Sequence, residues 1–217
     1  MSGQISYTSE LARKGIHLSS LWIPAMYLHV QHGTAIGILL ALTVASLVVD
    51  LLMHVHEPTR TFMMRYFGGM LRPHETTSER IHLTGASWVL IAALLTFAVF
   101  PKIISVTAFT VLNVSDSFAA LIGRRFGKRQ FFDKSLAGSV AFMVSASAIV
   151  AFYGWLFGAP QTYYVGGVAA SIVTAIVEAS STRLKVDDNL SIPFSFGLTM
   201  MALHLVIQTF GYRSFLN

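Results

Sequence analysis

The chain has 217 residues, of which 54% are hydrophobic and only 12% are charged, and it contains no cysteine. Soluble domains carry about 25% charged residues, so this composition argues against a water-soluble enzyme, and its hydrophobicity excludes a disordered chain. The absence of cysteine excludes disulfides, thiolate nucleophiles, iron–sulfur clusters and cysteine-based zinc sites. The length is typical of one domain, so we expect residues 1–217 to form a single membrane-embedded domain.

Seven stretches are apolar enough to cross a bilayer as helices, which takes about 20 residues each. In chain order they cover residues 16–31, 33–53, 82–100, 102–122, 136–157, 162–183 and 192–210. The sequence therefore predicts an all-α, polytopic integral membrane protein with about seven transmembrane helices. Residues 58–72 combine arginines with Phe and Met, a pattern typical of a helix at the membrane interface, so residues 54–81 are predicted to form an interfacial segment.

The lysines and arginines predict the orientation, because short cytoplasmic loops carry an excess of these residues. With the N-terminus in the cytoplasm, only Lys102 and Arg213 of the 15 Lys and Arg residues lie outside. Residues 54–81, 123–135 and 184–191 are then cytoplasmic. Topology and anionic lipid head groups account for the net charge of +5, so we expect no nucleic-acid partner.

Three acidic residues, Asp50, Asp116 and Glu178, lie within the predicted spans near their cytoplasmic ends. Ionisable side chains are costly inside a membrane and are candidates for function there. Each could instead be a helix-end acid paired with a loop arginine. For Asp50 both interpretations stay open, whereas the polar neighbours of Asp116 and Glu178 favour a functional site.

The segment that follows Asp116 favours a phosphate-binding site. Polar and small residues recur every three or four positions and would share one face of a helix. They are Asn113, Asp116, Ala120, Gly123 and Gly127. The chain then reaches Lys134 and Ser135 at the start of the next span. Free N–H groups at a helix start, a lysine and hydroxyls are typical of phosphate sites, and Gly138 would allow a phosphate close to the backbone. The spacing does not fit a Walker A loop, and a basic loop that only sets orientation is the alternative.

A second polar strip follows the sixth span through Glu178 and leads into Asp187, Asp188 and Asn189. Carboxylate oxygens suit Mg²⁺, which usually also keeps water and bridges substrate phosphates. The predicted ligands of Mg²⁺, or of another divalent cation, are Asp116, Glu178, Asp187 and Asp188. A turn that caps the next helix is the alternative for residues 187–189. The spacing of Gly33 and Gly37 is typical of helix packing, either within the chain or in a homodimer.

These segments resemble the signatures of a known family, the CTP-dependent lipid kinases, which include dolichol kinase, phytol kinase and CTP-dependent diacylglycerol kinase. The long central match is DSFAALIGRRFGK at 116–128 with KSLAGS at 134–139. Shorter matches, in family order, are ELARKGIH at 10–17, VEA at 177–179 and DDNLSIP at 187–193. The motifs GRRFGK at 123–128 and KSLAGS at 134–139 are closer to the diacylglycerol kinase branch. One departure is Ser115, which stands where many phytol-kinase-type members have glycine.

The resemblance implies a many-helix membrane fold related to the CDP-diacylglycerol synthases, with a single catalytic domain and active-site loops at 123–135 and 184–191. It implies transfer of the γ-phosphate of CTP to the hydroxyl of a membrane lipid alcohol, with Mg²⁺. The predicted catalytic residues are Asp116, Lys134 and Asp188. The predicted nucleotide-binding residues are Asn113, Gly123, Arg124, Gly127, Lys128, Lys134, Ser135, Gly138 and Ser139. Further contacts to substrate or phosphate are predicted for Arg13, Lys14, His17 and Asn189.

Two other functions fit parts of the pattern. A phosphatidate cytidylyltransferase also uses CTP and a lipid but releases pyrophosphate, and the same acids and phosphate loop would serve it. A small transporter or channel would line a path across the bilayer with its intramembrane charges. Here the three acids gather on one side, which disfavours a transporter.

Overall fold

The computed structural model describes residues 14–68, 83–184, 186–212 and 214–216. Its helices, in chain order, are α1 (Trp22–His29), α2 (His32–Val55), α3 (Glu57–Phe67), α4 (Gly85–Val99), α5 (Lys102–Phe126), α6 (Leu136–Leu156), α7 (Gln161–Ala179), α8 (Ser181–Leu184) and α9 (Asp188–Thr209). Residues 14–19 are also helical. A short antiparallel hairpin of β1 (Gln130–Phe131) and β2 (Lys134–Ser135) precedes α6. The all-α prediction is confirmed.

Five of the seven predicted spans form single helices that are long and apolar enough to cross a membrane, namely α2, α5, α6, α7 and α9. Helix α4 covers the third predicted span, but it has only 15 residues. At 1.5 Å per residue it extends about 22 Å, less than the usual hydrocarbon thickness. The chain is a polytopic membrane protein whose helices differ in whether they are long enough to span the hydrocarbon layer.

The first predicted span, residues 16–31, is not one continuous helix. The chain turns at residues 20 and 21, and α1 has only eight residues. Pro24 explains the break, because it has no N–H to donate to the carbonyl of Ser20 and its ring crowds that carbonyl. The Ile23 N–H instead bonds to Ser20 O at 3.0 Å, across three residues rather than four.

Helix α5 forms the centre of the fold and contacts α1, α4, α6 and α9. Of its most apolar stretch 78% is buried, against 22% for α2, whose remaining surface is available to lipid. Two hydroxyls that α5 carries into the interior have partners on other helices, because Thr107 pairs with Tyr163 at 2.6 Å and Thr110 with Tyr153 at 2.9 Å. Such bonds satisfy buried polar groups, whereas Ser115 Oγ on the same helix is buried without a partner.

The two predicted active-site loops are shorter than expected. Helix α5 continues to Phe126, so only residues 127–135 of the predicted 123–135 loop lie outside it. Helix α9 begins at Asp188, four residues before the predicted span at 192, and carries Pro193 inside its first turns. Asp188 therefore lies on a helix whose position is fixed by packing. The cytoplasmic position of both loops stays a prediction.

The predicted interfacial segment contains a helix, α3, none of whose residues is buried. Residues 69–81 of that segment lie outside the described residues. Asp50, in the preceding helix, accepts hydrogen bonds from Thr84 N at 3.0 Å and Thr84 Oγ1 at 2.9 Å. Its buried carboxylate therefore holds the residue that caps the start of α4.

The glycine pair of α2 makes no close helix contact within the described chain. A Cβ atom added at Gly33 or Gly37 would meet nothing within 4 Å. The two glycines are therefore not needed for packing among the described residues, and a homodimer through this face stays a prediction.

Candidate active site

A cavity of about 880 Å³ collects side chains from both halves of the chain. Its ionisable side chains, here called the charged cluster, are Lys14, His17, Asp116, Arg124, Lys134, Glu178 and Asp188. Its large apolar side chains, here called the apolar wall, are Ile16, Trp22, Ile23, Leu42, Met63, Phe67, Val89 and Leu90. Thr84, Ser19 and Ser20 also line it. Polar and apolar ligand groups can therefore occupy the same cavity.

Lys134 joins three elements within the charged cluster. Its Nζ atom lies 2.5 Å from Glu178 Oε1 and 3.1 Å from Asp188 Oδ2. Strand β2 carries the lysine, the last turn of α7 carries Glu178, and the first turn of α9 carries Asp188. The Glu178 side chain is 2% exposed, while those of Lys134 and Asp188 are each 31% exposed. Lys134 and Asp188 are therefore accessible to a ligand.

Two opposing effects act on the pKa of Lys134. Burial disfavours the charged ammonium, but the carboxylates of Asp188, Glu178 and Asp116 outweigh that cost and raise the pKa above its usual value. The ammonium is therefore charged at every physiological pH. It can offer its positive charge to a phosphate without first having to gain a proton.

A second ion pair, between Lys14 Nζ and Asp116 Oδ2, connects residues 102 positions apart. Both side chains are almost fully buried, at 7% and 10% exposed. His17, one turn after the lysine, interacts electrostatically with Asp116, and Asp116 in turn interacts with Lys134. Asp116 therefore links the N-terminal residues of the cluster to those around Lys134.

The start of α6 is bonded differently from the prediction of free N–H groups. Ser135 Oγ accepts a hydrogen bond from Gly138 N at 3.1 Å, and Leu136 N donates to Arg129 O at 2.9 Å. These two N–H groups already have partners within the chain. A phosphate at this helix end would have to replace them or use other groups.

The glycines around Ser135 let α5 and α6 approach each other closely. A Cβ atom on Gly123 would lie 2.7 Å from Ser135 Oγ, and one on Gly138 would lie 2.8 Å from Ala119 O. Packing alone thus requires a glycine at position 138, because the opposing atom, Ala119 O, belongs to the backbone. A contact between these glycines and a nucleotide stays a prediction.

The cavity unites most, but not all, of the residues that the sequence singled out. The predicted residues that line it are Lys14, His17, Asp116, Gly123, Arg124, Lys134, Ser135, Gly138, Glu178, Asp188 and Asn189. Those that do not line it are Asn113, Gly127, Lys128, Ser139 and Asp187. Arg13 lies outside the described residues. The Asn113 and Ser139 side chains are buried instead, each with an oxygen that has no hydrogen-bond partner.

Asp187 serves as the cap of α9. Its Oδ1 atom accepts hydrogen bonds from Asn189 N at 3.0 Å and Asn189 Nδ2 at 2.7 Å. A capping carboxylate satisfies the otherwise unpaired N–H groups at a helix start. The capping alternative therefore accounts for Asp187, whereas its neighbour Asp188 contacts Lys134.

The four predicted metal ligands are not gathered into one binding group. Across residues 14–68, 83–184, 186–212 and 214–216, no three His, Asp or Glu side chains are arranged to hold a metal ion. Glu178 Oε2 and Asp188 Oδ1 are nevertheless buried without a hydrogen-bond partner. Leaving such atoms unpaired is costly, and one or two carboxylates beside substrate phosphates are what Mg²⁺ usually takes from a protein. These two oxygens therefore fit a metal shared with a phosphate ligand.

The sequence did not predict the Lys14–Asp116 pair or the apolar wall. The pair leaves no local signal, because its members come together only through the packing of helices distant in the chain. The wall does leave one signal. Met63 and Phe67 are four residues apart and so share one face of α3, next to the arginines that had indicated an interfacial helix.

No family model and no solved structure match the chain. The uncharacterized protein RP860 of Rickettsia prowazekii is 34% identical over 88% of this chain and 92% of its own length, and the chain belongs to the same family. CTP-dependent diacylglycerol kinase 1 of Saccharomyces cerevisiae is 28% identical over 93% of this chain and 74% of its own length. Probable phytol kinase 3, chloroplastic, of Glycine max is 30% identical over 51% of this chain and 37% of its own length.

Proposed function

We propose that this chain is an integral membrane kinase that transfers the γ-phosphate of CTP to the hydroxyl of a membrane lipid alcohol. The acceptor is diacylglycerol or an isoprenoid alcohol of the polyprenol, dolichol or phytol type. The observation that carries the proposal is that one cavity contains both the charged cluster and the apolar wall. A phosphate donor needs charged surroundings and a lipid acceptor needs apolar ones, and the two must lie next to each other for transfer.

The similarity to a CTP-dependent diacylglycerol kinase supports CTP as the donor, because it extends over 93% of this chain. Phosphoryl transfer depends mainly on positioning and on neutralising charge rather than on covalent chemistry. A cavity with several fixed ionic groups is suited to that task. The partial similarity to a phytol kinase supports a lipid alcohol as the acceptor.

The charges of the cluster argue for a divalent cation. Lys14, Arg124 and Lys134 face the three carboxylates Asp116, Glu178 and Asp188, so the cluster has no surplus positive charge when histidine is neutral. A triphosphate would add several negative charges. Mg²⁺ would supply the missing positive charge, and Glu178 Oε2 and Asp188 Oδ1, the oxygens without partners, would hold it.

In the proposed reaction the acceptor oxygen attacks the γ-phosphorus of CTP. A bond forms between that oxygen and phosphorus, the bond from phosphorus to the β–γ bridging oxygen breaks, and CDP leaves. The Lys134 ammonium has three N–H groups, of which two serve Glu178 and Asp188. The third donates to the phosphate oxygens and stabilises their charge. The hydroxyl proton passes to a carboxylate of the cluster.

Asp116 is the carboxylate that we assign to the acceptor hydroxyl, with Asp188 as the other candidate. Asp116 pairs with Lys14, and the same N-terminal segment continues into Ile16 and Trp22 of the apolar wall. Ala119 and Ala120, one turn further along α5, leave space in the cavity beside it. The contact of Asp116 with the segment that carries these wall residues is the reason for assigning it, rather than Asp188, to the acceptor hydroxyl. We place the cluster at the cytoplasmic face, because 13 of the 15 Lys and Arg residues fall on that side of the predicted topology.

The test is an assay of the purified protein in detergent–lipid micelles with γ-labelled CTP and Mg²⁺. Diacylglycerol, a polyprenol and phytol are offered in parallel, and a Lys134→Ala preparation controls for contaminating kinases. Label in the lipid phase is expected, and the labelled lipid identifies the acceptor. Label released as pyrophosphate, with phosphatidate present, would overturn the kinase in favour of a cytidylyltransferase. Failure of the wild-type chain to label any of the lipids would contradict the proposal.

A further inference from the structure

We infer that the apolar wall is the binding site for the hydrocarbon part of the acceptor and that Met63 and Phe67 of α3 determine which acceptors fit. The inference rests on the proposed function, because it assigns a role to a second part of the same cavity. None of the residues predicted from the sequence as site residues belongs to this wall. The assignment therefore depends on how α3 lies against the cavity.

Helix α3 presents two neighbouring apolar rows. Met63 and Phe67, four residues apart, line the cavity. Phe62 and Tyr66, also four residues apart, are 56% and 60% exposed, and their ring centroids lie 4.7 Å from each other. Residues four apart lie above one another on a helix, so one row borders the cavity and the next borders the surroundings.

Helix α3 therefore lies between the cavity and the exterior of the protein. No residue of the helix is buried, so the described part of the chain does not enclose it on its outer side. Exposed aromatic rings beside arginines are typical of a helix that lies at the membrane interface. A lipid chain in the membrane beside α3 would need to pass only this one helix to reach the cavity.

The rest of the wall is also suited to hydrocarbon. It is completed by α1, α2 and α4 through Trp22, Leu42, Val89 and Leu90. Trp22 and Leu42 are 47% and 37% exposed, so ligand or lipid can reach them. Apolar cavities take ligands mainly through such side chains, while a few polar groups fix the orientation of the ligand.

The composition of the wall favours the acceptor over the nucleotide as its ligand. The triphosphate of the donor needs cations, and these lie in the charged cluster. The wall contains no ionisable side chain, and a methionine there can adapt to irregular hydrocarbon surfaces. A chain bound along the wall would bring its hydroxyl to the polar part of the same cavity, where Asp116 and Lys134 lie.

The test compares Met63→Trp with Met64→Trp under the assay conditions given above. Met64 is the adjacent residue, is 40% exposed and does not line the cavity, so its variant controls for the bulk of tryptophan on α3. Filling the cavity is expected to raise the KM for the lipid about tenfold, equivalent to ~1.4 kcal/mol of binding, and to leave the KM for CTP within about twofold. Met64→Trp is expected to change neither constant.

A second measurement requires no variant. The wild-type chain is irradiated with a lipid alcohol that carries a photoreactive diazirine in its chain, with and without excess unmodified acceptor, and the labelled residues are found by mass spectrometry. Labelling of Met63 and Phe67 that the unmodified acceptor suppresses is expected. Labelling at Phe62 and Tyr66 should resist that competition, because general membrane lipid contacts these residues.

The outcomes separate the inference from the proposed function. If the wild-type chain phosphorylates a lipid but Met63→Trp behaves like Met64→Trp, the inference is wrong while the kinase assignment stands. If unmodified acceptor suppressed the photolabelling equally at Met63 and Phe67 and at Phe62 and Tyr66, the inference would also be wrong while the kinase assignment stands. If the wild-type chain phosphorylates no lipid alcohol, the proposed function fails first.

Discussion

The charged cluster and the apolar wall occupy one cavity but are built in different ways. The cluster is held by ion pairs, a hairpin and the close approach of α5 to α6, all of which fix side chains in position. The wall comes from the helical residues 14–19 and from α1 to α4, and several of its side chains are more than a third exposed. Phosphoryl transfer requires fixed charges, whereas a hydrocarbon chain needs only a fitting apolar surface. Changes to the cluster should therefore affect catalysis far more than changes to the wall.

The largest effect is expected from Lys134→Ala. The substitution removes the only group that contacts both Glu178 and Asp188 among the interactions described above, and kcat/KM should fall about 100- to 1000-fold, as for other preorganised charge-stabilising groups. Lys102→Ala, an exposed lysine at the far end of α5, is the matched control and should retain activity. The measurement is the initial rate of each variant and of the wild type at equal amounts of folded protein. A Lys134→Ala enzyme within threefold of the wild type would remove this lysine from the mechanism.

The Lys14–Asp116 pair should show a large effect on stability as well as on activity. Lys14→Met leaves a buried carboxylate without its partner, which costs about 3–5 kcal/mol of unfolding free energy. The double variant with Asp116→Asn removes both charges and should regain most of that loss while staying inactive. Thermal unfolding, followed through the three tryptophans of the chain, measures the first effect, and the labelled-CTP assay measures the second. An active double variant would show that the pair is only structural.

The sequence predicted the charged cluster better than the apolar wall, for a physical reason. Asp116, Lys134, Glu178 and Asp188 were found because acids within spans and a lysine before a helix are local signals. The structure brings all four to one cavity. Their partners were not predictable in the same way, since the sequence suggested phosphate or metal for Lys134 and Glu178, which here contact each other.

Prediction of the fold was limited in the same way, because local patterns were read correctly and distant contacts were not. Apolar length predicted α2, α5, α6, α7 and α9, because burial of a helix in lipid depends on composition. It did not predict the break before Pro24, whose effect depends on the backbone rather than on hydropathy. Nor did it predict that Asp50 would bind Thr84 or that α3 would lie against the cavity, because these contacts join segments distant in the chain.

Close packing at the cluster can be tested with one pair of glycines. A Cβ atom at Gly138 would lie 2.8 Å from the carbonyl oxygen of Ala119, so Gly138→Ala should cost about 1–3 kcal/mol of stability through overpacking. It should also lower activity, because α6 begins directly after Lys134 and Ser135. Gly37→Ala is the control, since nothing lies within 4 Å of its added methyl, and alanine in a helix should be neutral or stabilise slightly. Equal melting temperatures for the two variants would contradict this account of the packing.

The smallest effect is expected from the contact that positions Lys134. The hairpin turn at Phe132 and Asp133 docks on the end of α7 and on α8. Asp133 N donates to Ala179 O at 2.9 Å, and Arg183 Nε donates to Asp133 Oδ1 at 2.9 Å. Phe132 adopts a φ of 52°, which is unfavourable for a bulky side chain and is held under the Arg183 guanidinium, 5.6 Å from the ring. Together these contacts fix the residue before the lysine.

Arg183 is 64% exposed, and exposed ion pairs are worth about 1 kcal/mol or less, so Arg183→Ala should lower kcat by no more than about fivefold. If Arg183 acts by positioning Lys134, its removal should have no further effect in the Lys134→Ala background, because the two residues then serve one function. Exchange of the two charges, Asp133→Arg with Arg183→Asp, should restore part of the lost rate. A full additional loss in the Lys134→Ala background would mean that Arg183 supports the fold or the nucleotide independently, and that the charged cluster is held in place without this contact.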